Sequence, residues 1–254
     1  KTLHVKIFVP FGKAEEYKKS SIPFDETFAL KASELEAEDW ITLFNLEITS
    51  LPAVLLQRVI TNLKKHSSSF TIIDIQHAVE SDHKADIATK QIAFSLFEAT
   101  SSCGIFSKKE EGTEISDLIT PGTTTILDIS VYSSSSAFNV RALAISLICK
   151  KIFQTRMDAR KKEEVESIRR GKQYLSSSER ENPLVWIFID EAHEFWKRNN
   201  KTPATDALIQ LLREGRQPGI SLVLATQQPG QIHKDVMTQA DIVISHRITS
   251  KTDI

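Results

Sequence analysis

The chain has 254 residues, of which 41% are hydrophobic and 26% are charged, and this excludes a disordered tail or a fibrous repeat. The net charge is −1, so a contact with nucleic acid would need a local basic patch. With only two cysteines, the chain cannot form a disulfide framework. We find neither an apolar run of about 20 residues nor a secretory leader. We therefore expect a cytoplasmic protein without a membrane segment.

Residues 1–30 are predicted to supply one strand of a sheet core and the connection that follows it. The run at 3–11 is rich in Val, Ile and Phe and ends at a Pro-Phe-Gly turn, which indicates a strand. We expect this strand to belong to the same fold as the C-terminal part of the chain.

Residues 31–120 are predicted to form an inserted helical subdomain. Ser33 begins a segment with capping-box spacing, and helical periodicity continues from there to Phe44. Pro52 suits the first turn of a second helix. Residues 67–101 predict further short helices, because their many polar residues favour a small helical subdomain over a sheet.

Residues 121–254 predict an α/β fold with a mostly parallel sheet flanked by helices. The predicted elements are strands at 123–130, 184–189, 220–225 and 241–245 and helices at 137–160 and 205–214. The runs at 184–189 and 220–225 are continuously apolar, which is typical of strands that are buried on both faces. The charged segment 161–181 is either an extension of the preceding helix or a mobile connection.

Polar residues follow the predicted strands where an open parallel sheet binds its ligands, outside the carboxyl ends. Asp128 and Ser130 end the first of these strands, Asp190-Glu191 follow the second, and Thr226-Gln227 follow the third. An apolar strand followed by two carboxylates suits a nucleotide hydrolase, in which one holds Mg²⁺ and the other activates the attacking water. The alternative is an acid pair that caps a helix at 192–196.

Several segments resemble the HerA–FtsK superfamily, and in particular the archaeal HerA-like ATPases. These are IFIDEAHEF at 187–195, LLREGRQPGISLVLATQQPG at 211–230 and ISHRITSKTDI at 244–254, with weaker matches at 9–17, 32–40 and 121–130. The resemblance implies that residues 121–254 are the C-terminal part of a RecA-like P-loop NTPase core.

The resemblance also implies roles for individual residues. Asp190 would be the Mg²⁺ ligand of the Walker B motif, Glu191 the catalytic base and Gln227 the polar sensor, with Thr226 beside it at the nucleotide. Arg216 would reach the nucleotide of a neighbouring subunit, and Arg247 would lie near the nucleotide at the subunit interface. The sequence departs from the family at Gln228, where relatives usually have arginine.

The chain has no Walker A motif, G-x-x-x-x-G-K-[ST]. Its Gly-Lys pairs, Gly12-Lys13 and Gly171-Lys172, lack both the preceding glycine and the following hydroxyl residue. The family places this loop upstream of Lys1, so we expect a fragment of a longer polypeptide that does not hydrolyse ATP alone.

The resemblance implies a ring-forming, homohexameric DNA translocase or helicase that uses ATP and Mg²⁺, acts on double-stranded DNA and works with a NurA-type nuclease in DNA end processing. Two alternatives remain open from the sequence. One is a non-catalytic RecA-like scaffold that lost its phosphate loop. The other is a fragment of a DEAH helicase, because residues 190–193 spell Asp-Glu-Ala-His.

A basic cluster is either a DNA contact or a solvated helix face. Its members are Lys150, Lys151, Arg156, Arg160, Lys161, Lys162, Arg169, Arg170 and Lys172. Among the histidines, His77 and His83 with Asp82 come closest to a metal site, but the spacing favours surface polar residues.

Overall fold

The computed structural model describes residues 3–109, 111–132, 139–170, 183–196 and 202–246. The fold is mixed α/β with parallel strands, as the sequence predicts. The chain divides into two compact units. One comprises residues 1–118 and 122–144, and the other comprises 119–121 and 145–254.

The first unit contains three strands and most of the helices. Its elements are, in chain order, β1 (His4–Pro10), α1 (Ala14–Lys19), β2 (Glu26–Phe28), α2 (Ala37–Leu43), α3 (Leu51–His66), α4 (Ile72–Glu80), α5 (Ile87–Ser102), α6 (Ile115–Leu118) and β3 (Thr123–Leu127). The remaining elements are α7 (Val140–Arg170), β4 (Val185–Ile189), α8 (Thr205–Glu214), β5 (Ile220–Leu224) and α9 (Lys234–Gln239). None of the helices in the described part of the chain is long and apolar enough to cross a membrane.

The sheet of the first unit is parallel and has the order β2-β1-β3. The predicted strands at the start of the chain and at residue 123 are both present. The short strand β2 was not predicted, because three residues are too few to show periodicity. It is fixed to β1 by the Asp25 carboxylate, which accepts from the Ile7 N–H at 2.8 Å, and by the Lys6–Glu26 ion pair at 2.9 Å.

Helices α3, α4 and α5 form where the sequence predicts helices, and their starts explain why. Ser50 and Asp86 cap α3 and α5 through their side-chain oxygens, and Thr71 caps α4 in a capping box with Asp74. The capping box predicted at Ser33 is wrong. Residues 32–34 form a short 3₁₀ turn instead, and α2 begins after Glu36, whose backbone N–H donates to Asp39 at 2.9 Å.

An aromatic cluster holds the helical part of this unit together. Trp40 is fully buried, and its ring centroid lies 5.0 Å from that of Phe97 and 5.3 Å from that of Phe106. Phe44 meets Phe97 edge to face at 5.3 Å. Such aromatic pairs stabilise a core by about 0.5–1.5 kcal/mol each beyond the area that they bury.

The backbones of Gly12 and Gly104 pack directly against each other in the first unit. A Cβ on Gly12 would lie 2.5 Å from the Gly104 Cα, and the Gly12 N–H donates to the Gly104 carbonyl at 2.9 Å. The glycine of the Gly12-Lys13 pair is therefore used for close backbone packing.

The second unit contains the parallel pair β4–β5, with Ile189 opposite Leu224. Helix α8 covers the predicted residues. The strand predicted at 241–245 is wrong, because these residues are unpaired coil and Ile242, Val243 and Ile244 are exposed. The prediction that β4 is buried on both faces is also wrong for the described residues, since Trp186 and Phe188 are 66% and 70% exposed.

Helix α7 continues to Arg170, so residues 161–170 extend the predicted helix rather than form a connection; residues 137–138 lie outside the described part. Arg156 is 1% exposed and places a charged group on the buried side of α7. Its Nε donates to the Pro218 carbonyl at 2.8 Å, and its Nη1 lies 3.5 Å from a Glu163 oxygen. A buried guanidinium is stabilised only when it is paired in this way.

Asp82 closes the turn between α4 and α5. It accepts from Arg58 Nε at 2.7 Å and Nη2 at 2.8 Å, and from the backbone N–H groups of Lys84 and Ala85. The Arg58 guanidinium and these amides hold the pKa of the Asp82 carboxyl well below its usual range.

We expect Asp82→Asn to lower the free energy of unfolding by about 2 kcal/mol at pH 7, because it weakens charge-assisted hydrogen bonds. The folded-state pKa lies below the unfolded value near 3.9. The carboxylate therefore contributes stability above that value, and the contribution falls as the pH drops towards the folded pKa. Urea denaturation at several pH values should show the difference from wild type shrinking below about pH 4. Glu98→Gln, on an exposed site of α5, is the matched control, and a pH-independent difference would contradict the assignment.

Candidate functional site

The acid pair lies directly after β4. Glu191 has φ 49° and ψ 43°, in the left-handed region, and its backbone N–H donates to Asp190 Oδ1 at 2.9 Å. A 3₁₀ turn at Ala192–Glu194 follows instead of the helix considered for 192–196, so the pair does not begin an α-helix.

Gln227 meets Glu191 at the carboxyl end of the sheet. Its Nε2 donates to Glu191 Oε1 at 2.7 Å. The parallel ladder brings the two together, because it continues past the ends of the strands: the Ala225 N–H donates to Ile189, and the Ala192 N–H donates back to Ala225. The two side chains that the sequence assigns to catalytic base and sensor are therefore in direct contact.

Thr226 and His193 complete this group. The Thr226 Oγ1 accepts from the Gln228 N–H at 3.0 Å and lies 3.0 Å from His193 Nδ1, and the same nitrogen lies 3.3 Å from Glu191 Oε2. Sequence reasoning gave His193 no role in this site, because it weighed the residue only as a metal ligand and as the last residue of the Asp-Glu-Ala-His sequence. The available signal was its place three residues after Asp190, one tight turn beyond the strand end.

Asp190 is exposed, and one of its oxygens is used by the backbone of Glu191. A single exposed carboxylate suits Mg²⁺, which keeps several waters and takes one or two protein carboxylates together with phosphate oxygens. No group of three or more His, Cys, Asp and Glu residues among the described residues could hold a metal by itself. In the grouping of His77, His83 and Asp82, the carboxylate is engaged by Arg58.

Arg216 lies at the other end of β5 from Gln227, in the exposed turn between α8 and β5. The strand separates the two residues by about 16 Å at the usual rise per residue. The turn is fixed by backbone bonds from Gly219 to the Arg216 carbonyl and from Ile220 to the Gly215 carbonyl. Arg216 thus does not join Glu191 within one chain. Arg247 lies outside the described residues.

The other residues that the sequence suggests for the site lie apart from this group or are already engaged in other contacts. Asp128 and Ser130 follow β3, which pairs with β1 in the first unit, and Asp128 Oδ1 accepts from the Ser130 N–H at 2.9 Å. Including Arg156 in an exposed basic cluster was wrong, since it is buried against Pro218. Arg160 pairs with Glu163 and Glu164.

The chain is similar to proteins of known families. Residues 127–252 match the family described as Zonular occludens toxin (Zot). The chain is 23% identical over 146 residues to "DNA double-strand break repair helicase HerA" of Pyrococcus furiosus, which covers 53% of this chain and 26% of that protein. It is 36% identical over 69 residues to "Probable DNA double-strand break repair helicase HerA" of Methanocaldococcus jannaschii, which covers 27% of this chain and 14% of that protein.

The matched segment therefore spans about a quarter or less of these curated relatives. The matches confirm the resemblance to HerA-like P-loop ATPases that the sequence motifs predict.

The left-handed backbone at Glu191 gives a stability test of this turn. A side chain other than glycine in this region costs about 1–2 kcal/mol. Glu191→Gly and Glu191→Ala both remove the carboxylate, and we expect the glycine variant to be more stable by about 1 kcal/mol in urea denaturation. The same pair of substitutions at Gln210, inside α8, should show the opposite order. An alanine variant as stable as the glycine variant at position 191 would contradict the assigned backbone.

Proposed function

We propose that this HerA-like chain supplies the hydrolytic carboxylate and the sensor of an ATP site in a DNA translocase or helicase. The observation that carries the proposal is the hydrogen bond from Gln227 to Glu191 at the carboxyl ends of two parallel strands. Ligands of open parallel sheets bind at this edge, and a carboxylate beside an amide suits an attacking water.

In this proposal Glu191 accepts the proton of the water that attacks the γ-phosphate. Gln227 orients the carboxylate through Oε1 and can exchange that bond for one to the water or the phosphate. Asp190 would hold Mg²⁺, and the ion would neutralise negative charge on the phosphate oxygens.

Arg216 acts on a neighbouring subunit in this proposal. Its guanidinium is exposed and lies at the end of β5 remote from Glu191, so it can reach a nucleotide only on another copy of the chain. A planar, bidentate guanidinium suits the charge that spreads over the phosphate oxygens. A head-to-tail contact of this kind forms a ring when the rotation between subunits closes, and we propose that it does so as a homohexamer.

The proposed substrate is double-stranded DNA, along which the protein would move. The proposed partner is a NurA-type nuclease that processes DNA ends. Support comes from the relatives, which are described as DNA double-strand break repair helicases. Because the chain contains no Walker A motif, we propose that it does not turn over ATP alone, and activity is therefore to be measured in the full-length protein.

Glu191→Gln should abolish ATP turnover while nucleotide binding survives. Loss of a general base lowers kcat by about 100-fold or more, whereas the amide keeps the size of the side chain and its contact with Gln227. Phosphate release measures turnover, and equilibrium binding of a fluorescent ATP analogue measures affinity. Asp206→Asn, the same exchange on the exposed start of α8, is the matched control. Wild-type hydrolysis by Glu191→Gln would refute the proposal.

Mixing two inactive variants tests whether Arg216 acts between subunits. We expect Arg216→Ala and Glu191→Gln each to be inactive. In a mixed ring, an Arg216→Ala subunit that supplies Glu191 beside a Glu191→Gln subunit that supplies Arg216 forms an intact site. At equal mixing about a quarter of the interfaces have this order, so about a quarter of the wild-type rate should return. No recovery after confirmed subunit exchange would contradict action between subunits.

A further inference from the structure

His193 lies against the catalytic carboxylate but has no role in the proposed function. Its side chain is only 15% exposed, and its Nδ1 faces Glu191 Oε2 at 3.3 Å and Thr226 Oγ1 at 3.0 Å. The residue sits on the 3₁₀ turn after β4, and Thr226 follows β5. The imidazole therefore bridges the ends of the two strands.

The surroundings of Nδ1 determine which atom carries the proton. Glu191 Oε2 is shielded from solvent and has no hydrogen-bond partner among the described residues, and an ionised carboxylate oxygen can only accept. If Nδ1 were unprotonated, its lone pair would face that oxygen and repel it. The tautomer with Nδ1–H is therefore favoured, with the Thr226 hydroxyl oxygen as its hydrogen-bond acceptor and Glu191 Oε2 close by.

The two carboxylate oxygens of Glu191 thus contact different side chains. Oε1 accepts from Gln227 at 2.7 Å, while Oε2 lies 3.3 Å from His193 Nδ1 in a close contact that is not a hydrogen bond. His193 is in turn fixed by Thr226, whose hydroxyl is held by the Gln228 N–H. The carboxylate consequently has a hydrogen bond on one side and a close contact with the imidazole on the other, which matters because its backbone adopts the strained left-handed conformation.

We propose that His193 is a positioning residue for Glu191, and that it sets the carboxylate plane by presenting Nδ1–H to Oε2 from an anchor on Thr226. The inference rests on the proposed ATPase function. It concerns the chemical step rather than nucleotide binding, because His193 contacts the base and not a residue assigned to the metal. Orienting partners of this kind typically change activity by about 10–100-fold.

The test compares His193→Asn with His193→Leu in the full-length protein, with ATP and Mg²⁺ as the probe. The asparagine side-chain NH₂ can occupy the place of Nδ1–H, whereas leucine has a similar size and no donor. We expect the leucine variant to lose about 10-fold or more in kcat, with KM and the affinity for a fluorescent ATP analogue within about twofold of wild type. The asparagine variant should recover most of kcat.

Several outcomes would overturn the inference. Equal kcat in both variants, at either the wild-type or a reduced value, would show that the donor does not matter. A loss confined to KM would assign His193 to binding. If the leucine variant does not fold, Thr226→Val decides, since it removes the anchor hydroxyl at nearly constant volume, and unchanged kcat there would refute the proposed bridge.

The companion variant Glu191→Gln separates the two proposals. If it hydrolyses ATP like wild type, the proposed function fails, whatever the His193 variants do. If it is inactive while His193→Leu keeps the wild-type kcat, the function stands and only the positioning role fails. A double-mutant cycle that combines His193→Leu with Gln227→Ala adds a further test. Because both side chains contact the same carboxylate, their effects on kcat should not be additive.

Discussion

The parallel pairing of β4 with β5 sets the position of every polar group in the candidate site. The register places Ile189 opposite Leu224, and the hydrogen-bond ladder runs one step beyond the strands. Glu191 and Gln227 consequently emerge side by side. A shift of one residue in this register would turn one of the two side chains to the other face of the sheet, and the hydrogen bond between carboxylate and amide would be lost.

Glu191 combines a strained backbone conformation with side-chain contacts to its carboxylate. Its backbone is left-handed, and its carboxylate contacts Gln227, which follows β5, and His193. A residue that is kept in an unfavourable conformation by its surroundings is a common property of functional sites. The combination separates this acid pair from one that merely begins a helix.

Much of this arrangement could be predicted from the sequence, because apolar runs and strand-end polar residues are local patterns. The strand–helix alternation after residue 183 identified Glu191 and Gln227 as neighbours. The short strand β2, the buried state of Arg156 and the contact of His193 with Thr226 could not be predicted, since each depends on a partner distant in sequence: Ile7 of β1, Pro218 and Thr226. The strand predicted at 241–245 failed for a related reason, because β-branched composition alone does not supply a partner strand.

Arg156 has a mechanical consequence for the turn that carries Arg216. Its buried guanidinium ties the Pro218 carbonyl to the long helix α7, and backbone bonds close the same turn against the start of β5. The backbone at Arg216 is therefore held by hydrogen bonds within its turn and through Pro218 to α7. When this unit rotates, the turn would move with it, and the Arg216 guanidinium would be displaced together with α7 and β5.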